Sequence, residues 1–520
     1  MTTTPTADVC MIVEGTYPYV SGGVSSWIHG LINNLPDFTF SLVHLSSTPV
    51  ADRVPQYLLP SNVIGVQDIF LHEDQEAATR PSGRRCPEGW RAIEELHGAL
   101  GEGRVCDHAA VFDHLSGQNA KGLTVGDLFF SSKSWDLLVA RYRALCPDIP
   151  FVDFFWTFRA THAPLFRLLA SPLPPARIYH TPSTGFGGLL GALGKMRTGA
   201  PFLVTEHGIY THEREIEIAH ADWIPEQERA DHRLDVEQDF FRTWWNDMFR
   251  FMTRVSYDVA DEIISITQSN QRYQLQDGAA PEKMSVIPNG VDVERYRAVR
   301  SSLERQSPHF SVGFVGRVVP IKDVKTFIRA INIVQAVIPD VTAAIVGPTE
   351  EDSAYFAECQ KLVELLGLES AVHFTGRADV RDYYRTLDVV VLTSLSEAQP
   401  LVILEANCAG LPVVATDVGA CRELLHGITP EDRALGPSGL LTSVGSPQGT
   451  ADAIIRLWRD EDLRQQMAAV GQRRVGAFYR QEQLYETYRT LYRRYLRRAS
   501  RAEPRTGKAT TDGRHRVPAA

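Results

Sequence analysis

A short apolar strand, DVVVLTS (388–394), runs directly into SEAQPLVILEA (396–406), and this junction holds the densest set of groups able to do chemistry. Pro400 suits the first turn of a helix, which would aim free backbone N–H groups and the positive helix end at an anion beyond the strand. Glu397 stays in the loop. Glu405, about five residues into the helix and ~7 Å along its axis, would reach past the anion toward a sugar hydroxyl. A second junction, FVGRVVPIK (314–322), ends a strand at Gly316 and brackets a short loop with Arg317 and Lys322. Two cations at the mouth of a parallel sheet suit a diphosphate leaving group, arginine as a fork and lysine as a point charge, and there they replace a metal. Either spacing also occurs on ordinary surfaces, as a loop acid with a solvated helix glutamate, or as exposed cations. The register of strand, loop and helix favours chemistry.

The N-terminal half supplies complementary groups. Gly22-Gly23 stands before a helix and would let backbone approach a ligand closely, or would simply make a βα turn. His207 ends the strand FLVTEH before Gly208; a lone histidine is often structural, but this one would point into a cleft at the strand ends. Glu213 and Arg214 follow in a charged segment suited to lining an acceptor site or to facing solvent. Three motif matches fail. His212-Glu213 opens H-E-x-x-H, but position 216 is Ile. Asp460-Glu461-Asp462, the one D-x-D, lies in a charged helix-terminal stretch and reads as a capping cluster. STGFGGLLGALG (183–194) places Gly185, Gly187 and Gly191 ahead of Glu206 and imitates a dinucleotide fingerprint. Its spacing is G-x-G-x-x-x-G, however, and Glu206 adjoins His207. An NAD-binding oxidoreductase is the reading this decoy would support.

Short β-rich runs alternating with helical patterns must position these groups, the signature of parallel sheets covered by helices. DVCMIVE (8–14), the turn-rich GTYPYVSGG and a helix with Val24, Trp27, Ile28, Leu31 and Ile32 on one face make a strand, glycine loop, helix unit. From about 72 to 160 the pattern turns irregular and helical, and an insertion is expected. Strand signals resume at Ala176–Tyr179, Phe202–Thr205, Glu262–Thr267 and Met284–Ile287, and PNGVD (288–292) marks a boundary. A second series follows at 311–316, 341–347, 372–376, 388–394 and 412–417. The expectation is α/β: two facing Rossmann-like domains, 1–290 and 291–478, whose strand C-termini share a cleft, then a helix at 479–498 and a disordered tail at 499–520.

The 520 residues are 44% hydrophobic and 22% charged, ordinary for a globular protein of two to four domains. Lys+Arg 53 against Asp+Glu 63 gives a net charge of −10, no basic excess for a phosphate polymer, so nucleic acid is not an expected partner. Seven scattered cysteines without a C-x-x-C argue against a disulfide framework or zinc site. MTTTPTAD has no basic region, the apolar run Val9–Val13 is shorter than a signal core of ~7–15 residues, and no stretch approaches the ~20 apolar residues of a membrane span. A cytoplasmic chain is expected. In the last helix Tyr485, Tyr488, Leu491, Tyr492 and Tyr495 alternate with arginines, either a packed aromatic stripe or a membrane-surface face.

FVGR…K, VHFTGR, SEAQPLVILEA and GLPVVATDVGACREL resemble the retaining glycosyltransferases of the GT4 type, which have the GT-B fold. DVCMIVEGTYPYVSGGVSSW and VTEHGIYTHERE resemble more narrowly the Pel exopolysaccharide glycosyltransferases. The resemblance implies a nucleotide-sugar donor on the C-terminal domain, a carbohydrate acceptor on the N-terminal one, and neither metal nor other cofactor. Arg317 and Lys322 would hold the diphosphate, Glu405 the ribose hydroxyls, and Glu397 would lie by the transferred sugar, with Leu401 opening the donor-side helix. His207 would contact that sugar from the facing domain, Gly23 beside Gly22 would approach the phosphates, and the loop at Gly376-Arg377 would border the base. The last helix would cross back to the N-terminal domain. Ala-Gln-Pro-Leu after Glu397 departs from the aromatic-Gly pair of many relatives and leaves the donor open; the narrower resemblance favours UDP-glucose or a related UDP-hexose. It also implies a place at the inner face of the membrane beside membrane-embedded synthase or export proteins. A nucleotide-sugar-binding subunit that never turns over is the competing class, and the intact set of Arg317, Lys322 and Glu397 argues against it.

Overall fold

The computed structural model describes residues 5–49, 54–72, 80–83, 85–102, 108–115, 122–221, 223–224, 240–299 and 309–502. Apolar runs too short for helices become strands, those in the middle of each sheet buried on both faces and those at the edges partly exposed, and the connections between them return each strand in the same direction. The first sheet contains β1 (Val9–Glu14), β2 (Phe40–Ser46), β3 (Val63–Phe70), β4 (Tyr179–Thr181), β5 (Phe202–Glu206), β6 (Glu262–Ser265) and β7 (Met284–Val286). All pairs are parallel, in the order β3-β2-β1-β4-β5-β6-β7. The second contains β8 (Ser311–Val315), β9 (Thr342–Val346), β10 (Val372–Gly376), β11 (Val389–Leu392), β12 (Val413–Thr416) and β13 (Gly439–Thr442), parallel in the order β10-β9-β8-β11-β12-β13. The direction of strand succession reverses between β1 and β4 in one sheet and between β8 and β11 in the other. Open parallel sheets bind ligands beyond the strand C-termini at such points.

Several local expectations shift. The strand expected at Ala176–Tyr179 starts at Tyr179, and Ala176 makes only a bridge to Ala7. β2, β3 and β13 carried no expectation; β13, GLLT, is too short to stand out from its loops. Pro400 is the residue before the helix Leu401–Cys408 rather than in its first turn, and Asp323 likewise precedes Val324–Gln335 and caps it at Thr326 N. The helical segment between β3 and β4 extends to Ala170. The last helix, Gln481–Ala502, outruns its expected end, and the remaining tail, 503–520, lies outside the described residues.

That last helix buries Leu484, Tyr485, Tyr488, Leu491, Tyr492 and Tyr495 in one cluster with Val9, Met11, Val13 and Ile28. Its stripe is therefore interior. The hydroxyl of Tyr492 lies 2.7 Å from His180 Nδ1 and that of Tyr488 3.0 Å from Thr205 Oγ1, while Arg489 and Arg493 pair with Asp37. Where the chain passes between the sheets, Val291 N donates to Tyr479 O and Gln481 N to Val291 O, at 2.9 and 3.0 Å. Gly290 lies so close to this crossing that a Cβ there would stand 2.7 Å from the Arg480 carbonyl. Among the described residues no helix is long and apolar enough to cross a membrane.

The helical segment has its own buried histidines. His162, in Phe151–Ala170, is fully buried and stacks on Phe158 at 3.9 Å, donating from Nδ1 to Phe158 O at 2.8 Å. Among the described residues Nε2 has no partner, and burial holds the imidazole down to about 4. A proton added there would have no acceptor. Because the folded state resists a proton that the unfolded chain takes near 6.5, the neutral ring's contribution is complete above that pH and is lost as pH falls toward 4, up to about 3 kcal/mol. His162→Gln should therefore flatten the acid limb of stability over that window. Urea unfolding at pH 7 and pH 4.5 checks it; parallel losses in both proteins would show that the ring does not titrate this way.

Candidate active site

The C-terminal ends of β8, β11 and β12 are knitted by short bonds into one platform. Thr393 Oγ1 donates to the carbonyls of Lys322 and Asp323 at 3.1 and 2.9 Å, and Leu395 N to Ile321 O at 2.8 Å. Thr416 Oγ1 donates to Ser394 O at 2.6 Å, and Ala420 N to Ala398 O at 3.0 Å. The loop carrying Glu397 is thus clamped on two sides. Gly419, at φ 50°, is what permits the second clamp: a Cβ there would fall 1.6 Å from Glu397 O. Asp323 holds a left-handed φ of 43°, the one non-glycine residue with positive φ among those described, while its side chain caps the following helix.

Upon this platform Lys322 Nζ donates to Glu397 Oε1, which also accepts from Ser394 Oγ at 2.7 Å. Both side chains are mostly buried, 18% and 10% exposed. Arg317 differs. Its guanidinium is 53% exposed and paired with Glu351 at 2.7 Å, at the mouth of the cleft. Glu405 accepts from Tyr384 at 3.3 Å and from the Tyr296 hydroxyl, and burial raises its carboxyl above the ordinary range. Gly376, at φ 66°, ends β10 at the edge of the sheet, and Arg377 is exposed beside it.

Across from this platform, a cavity of roughly 650 Å³ joins the two halves. Arg317, Ala398, Gln399 and Leu401 line it from one side, and Gly23, His207, Tyr210 and Glu14 from the other. Of the residues expected from sequence, Gly23, His207, Glu213, Arg214, Arg317 and Leu401 therefore meet in one space. Lys322 and Glu397 pair at its border, one residue before Ala398. Gly22, Gly376, Arg377 and Glu405 are not part of its lining. A Cβ at Gly22 or Gly23 would meet no protein atom, so the start of the helix Gly23–Asn34 presents bare backbone. Burial holds His207 down to about 4, a neutral ring edge-on to Trp27 at 4.6 Å, with Nε2 buried and unpartnered. A neutral imidazole with an unpartnered nitrogen is suited to a substrate hydroxyl.

Sequence reasoning gave no site role to five groups here. Glu14, at the end of β1, accepts from Gly187 N at 2.5 Å and Ser183 Oγ at 2.8 Å, and burial raises its carboxyl. The strand-end rule that found His207 would also have found Glu14. Glu206 is buried among the donors Thr184, Gln274 and Tyr257, and burial pushes it up to about 7. Asn289 and Gln399 join the halves, Asn289 N donating to Gln399 Oε1 at 2.9 Å, and Glu423 accepts from Gln268 N and Ser269 N at the start of the helix Gln268–Gln276. The glycine decoy has a packing explanation: a Cβ at Gly185 would strike the Tyr210 ring at 2.3 Å, and one at Gly191 the Phe202 ring at 2.1 Å. With Glu14 on Gly187 N, the helix Phe186–Thr198 already has an anion at its start, where a dinucleotide's phosphates would need to sit. Asp460 caps the helix Glu461–Phe478 by accepting from Leu463 N at 2.9 Å.

Residues 7–282 match the family described as "Domain of unknown function (DUF3492)", and residues 309–460 match "Glycosyl transferases group 1". A D-inositol 3-phosphate glycosyltransferase 2 of Catenulispora acidiphila is 32% identical over 208 residues, 35% of this chain and 48% of that protein. A D-inositol 3-phosphate glycosyltransferase of Corynebacterium glutamicum is 31% identical over 220 residues, 38% of this chain and 50% of that protein. The chain thus spans about half the length of the curated relatives it matches. Among solved structures, the Anabaena protein HepE in complex with UDP superposes with a TM-score of 0.56 at 18% identity, over 93% of this chain and 99% of that one. Sucrose-phosphate synthase of Thermosynechococcus elongatus gives 0.57 at 17% identity, over 94% and 99%. The fold is GT-B.

Proposed function

We propose that this chain, which belongs to the family described as a domain of unknown function (DUF3492) and continues into a glycosyl transferases group 1 domain, transfers a hexose from a UDP-hexose to a growing exopolysaccharide with retention of configuration. The observation that carries the reading is the single cavity in which Arg317 and Leu401 face Gly23 and His207, bordered by the clamped Lys322 and Glu397 pair. UDP-glucose or a close relative is the donor; a structural neighbour solved with UDP-glucose supports that choice. No metal takes part. The protein works in the cytoplasm, peripheral to the membrane face where a synthase or exporter would take the product.

In this mechanism the anomeric carbon passes through an oxocarbenium-like state as its bond to the diphosphate breaks. Lys322 and Arg317 take up the charge that develops on the leaving oxygens, and backbone N–H groups at Gly23 and Leu401 approach the phosphates. Lys322 is positioned by Thr393 and Leu395 before substrate arrives, so little reorganisation is needed at the moment of bond breaking. Glu405 turns from its tyrosines to the ribose, Glu397 stays near the sugar, and the loop at Gly376-Arg377 borders the base. His207 offers its unpartnered nitrogen to a sugar hydroxyl. The acceptor hydroxyl attacks from the face that the diphosphate leaves, and its proton passes to the departing phosphate oxygen.

The test is direct. Purified protein with UDP-glucose and a chelator should release UDP and, with native acceptor, yield a glycosylated product; dependence on added magnesium would overturn the metal-free account. UDP should also raise the melting temperature by mass action, about 2.7 kcal/mol at a hundredfold excess over its dissociation constant. Glu405→Ala should remove most of that protection, NAD should give little, and His207→Ala should lower turnover more than UDP affinity. Protection by NAD with indifference to Glu405 would instead support an oxidoreductase.

A further inference from the structure

The N-terminal wall of the cavity is acidic. Glu14, Glu206 and Glu213 all line it, and Arg214 is the one cation they share it with on that side. Arg214 is partly engaged, its Nη1 2.7 Å from Glu217 Oε2 and its guanidinium 5.2 Å over the Tyr210 ring, while its Nε is buried without a partner among the described residues. Glu206 is enclosed by donors from Thr184, Tyr257 and Gln274 and has none to spare for a ligand. Glu14 is different: Oε1 holds Gly187 N and Ser183 Oγ, whereas Oε2 has no hydrogen-bond partner among the described residues. Five further polar atoms of the lining are buried without partners among the described residues: the acceptors His207 Nε2 and Asn289 Oδ1, the donors Trp27 Nε1 and Arg214 Nε, and the Thr16 hydroxyl, and Asn289 is only 9% exposed. The hydroxyls of Thr16, Ser26 and Ser183 complete the wall.

Acceptor atoms without donors are what a hydroxyl-rich ligand satisfies. Glu14 Oε2 and Asn289 Oδ1 can each take one acceptor O–H, with His207 Nε2 left to the transferred sugar. A phosphate brings none to these acceptors; it would find the donors Trp27 Nε1 and Arg214 Nε, but would set its charge against Glu14 and Glu213 in a partly desolvated space, where like charges are costly.

We infer that this wall binds the acceptor as a neutral, polyhydroxylated saccharide end, with Glu14 accepting the hydrogen bond of an acceptor hydroxyl and the surrounding carboxylates excluding phosphorylated acceptors. The inference rests on the transferase reading above and deepens it: it separates this chain from relatives whose names specify an inositol phosphate. Glu14 orients the hydroxyl and keeps no proton. The new bond forms between that hydroxyl oxygen and the anomeric carbon, the bonding pair to the old oxygen leaves with UDP, and the hydroxyl proton goes to the departing phosphate.

Glu14→Gln provides the test, because a glutamine carbonyl still accepts from Gly187 N and Ser183 Oγ while the other arm changes from acceptor to donor. Calorimetry with UDP first establishes the donor side. Saturation-transfer NMR on the UDP-loaded protein then compares cellotriose and maltotriose with myo-inositol 1-phosphate and glucose 6-phosphate. The expected result is contact with at least one neutral trisaccharide, little with either phosphate, and a loss of tenfold or more in trisaccharide affinity in Glu14→Gln with UDP affinity changed less than twofold. A single charged hydrogen bond is worth about that much. Preference for a sugar phosphate, absence of contact with both trisaccharides, or a Glu14→Gln variant that binds them as wild type each overturns the inference while leaving UDP binding intact. Failure of UDP itself to bind falls on the transferase reading and takes the inference with it.

Discussion

Lys322→Ala should lower turnover by on the order of 10²–10³ and weaken UDP binding while the protein stays folded. The ammonium is 18% exposed, its carbonyl is held by Thr393, and its one ionic partner is Glu397, so its charge is fixed in place in a partly dry setting. Charge held that way stabilises a leaving diphosphate without first reorganising solvent. The alanine variant also leaves Glu397 with only Ser394 for company, which turns a neutralised wall of the site into a repulsive one. Arg317→Ala should cost less, because a side chain 53% exposed and paired with Glu351 acts through solvent and salt. Titration calorimetry with UDP and initial rates for both variants decide the matter, and wild-type affinity in both would refute the assignment of the diphosphate site.

Gly419→Ala should abolish most activity although Gly419 itself does not line the cavity. The glycine sits at φ 50°, and its missing side chain leaves room for the Glu397 carbonyl. A methyl group 1.6 Å from that oxygen forces the loop or the backbone of Gly419 to move, and left-handed strain adds of order 1–3 kcal/mol. The displaced loop is the one that carries Glu397 and continues into Ala398 and Gln399 on the cavity wall. We expect turnover to drop by about 10²-fold, as a misplacement of about 1 Å at a catalytic centre can, together with a lower melting temperature. Gly436→Ala is the control: it has the same left-handed preference, φ 88°, but open space around it, so it should lose stability and keep rate. Equal rate losses in the two variants would mean that the effect is global.

Much of the fold was legible because parallel strands buried on both faces read as plain apolar runs, as in VVVL at β11 and VCMIVE at β1. What failed were features set by partners distant in sequence. β13 becomes a strand because it pairs with β12, and nothing local in GLLT announces that. Arg317, Lys322, Glu397 and Leu401 stood out as candidates because a strand end, a cation or an acid, and a helix start lie within about ten residues of one another. Asn289 gains meaning only from Gln399, more than a hundred positions away, whereas Glu14 stands at a strand end that the same rule reaches and was overlooked, its bond from Gly187 N being invisible in sequence. The glycines of 183–194 misled in the opposite way, because close packing against Tyr210 and Phe202 requires the same residue that a phosphate loop does.

The crossing at Val291 and Arg480 has a mechanical consequence. Two chain segments pass between the halves there, side by side and hydrogen-bonded, with Gly290 pressed against the Arg480 carbonyl. Such a pair behaves as a pivot: a small rotation about it moves nearby atoms little and remote ones much. Gln399 on Asn289, close in sequence to the pivot, would feel a short lever arm, and Glu423 on the start of the helix Gln268–Gln276 is a separate polar latch between the halves. Any opening of the cleft about this crossing would have to release the bonds of Asn289 to Gln399 and of Glu423 to Gln268 and Ser269, while the buried tyrosines tie the last helix to the N-terminal half.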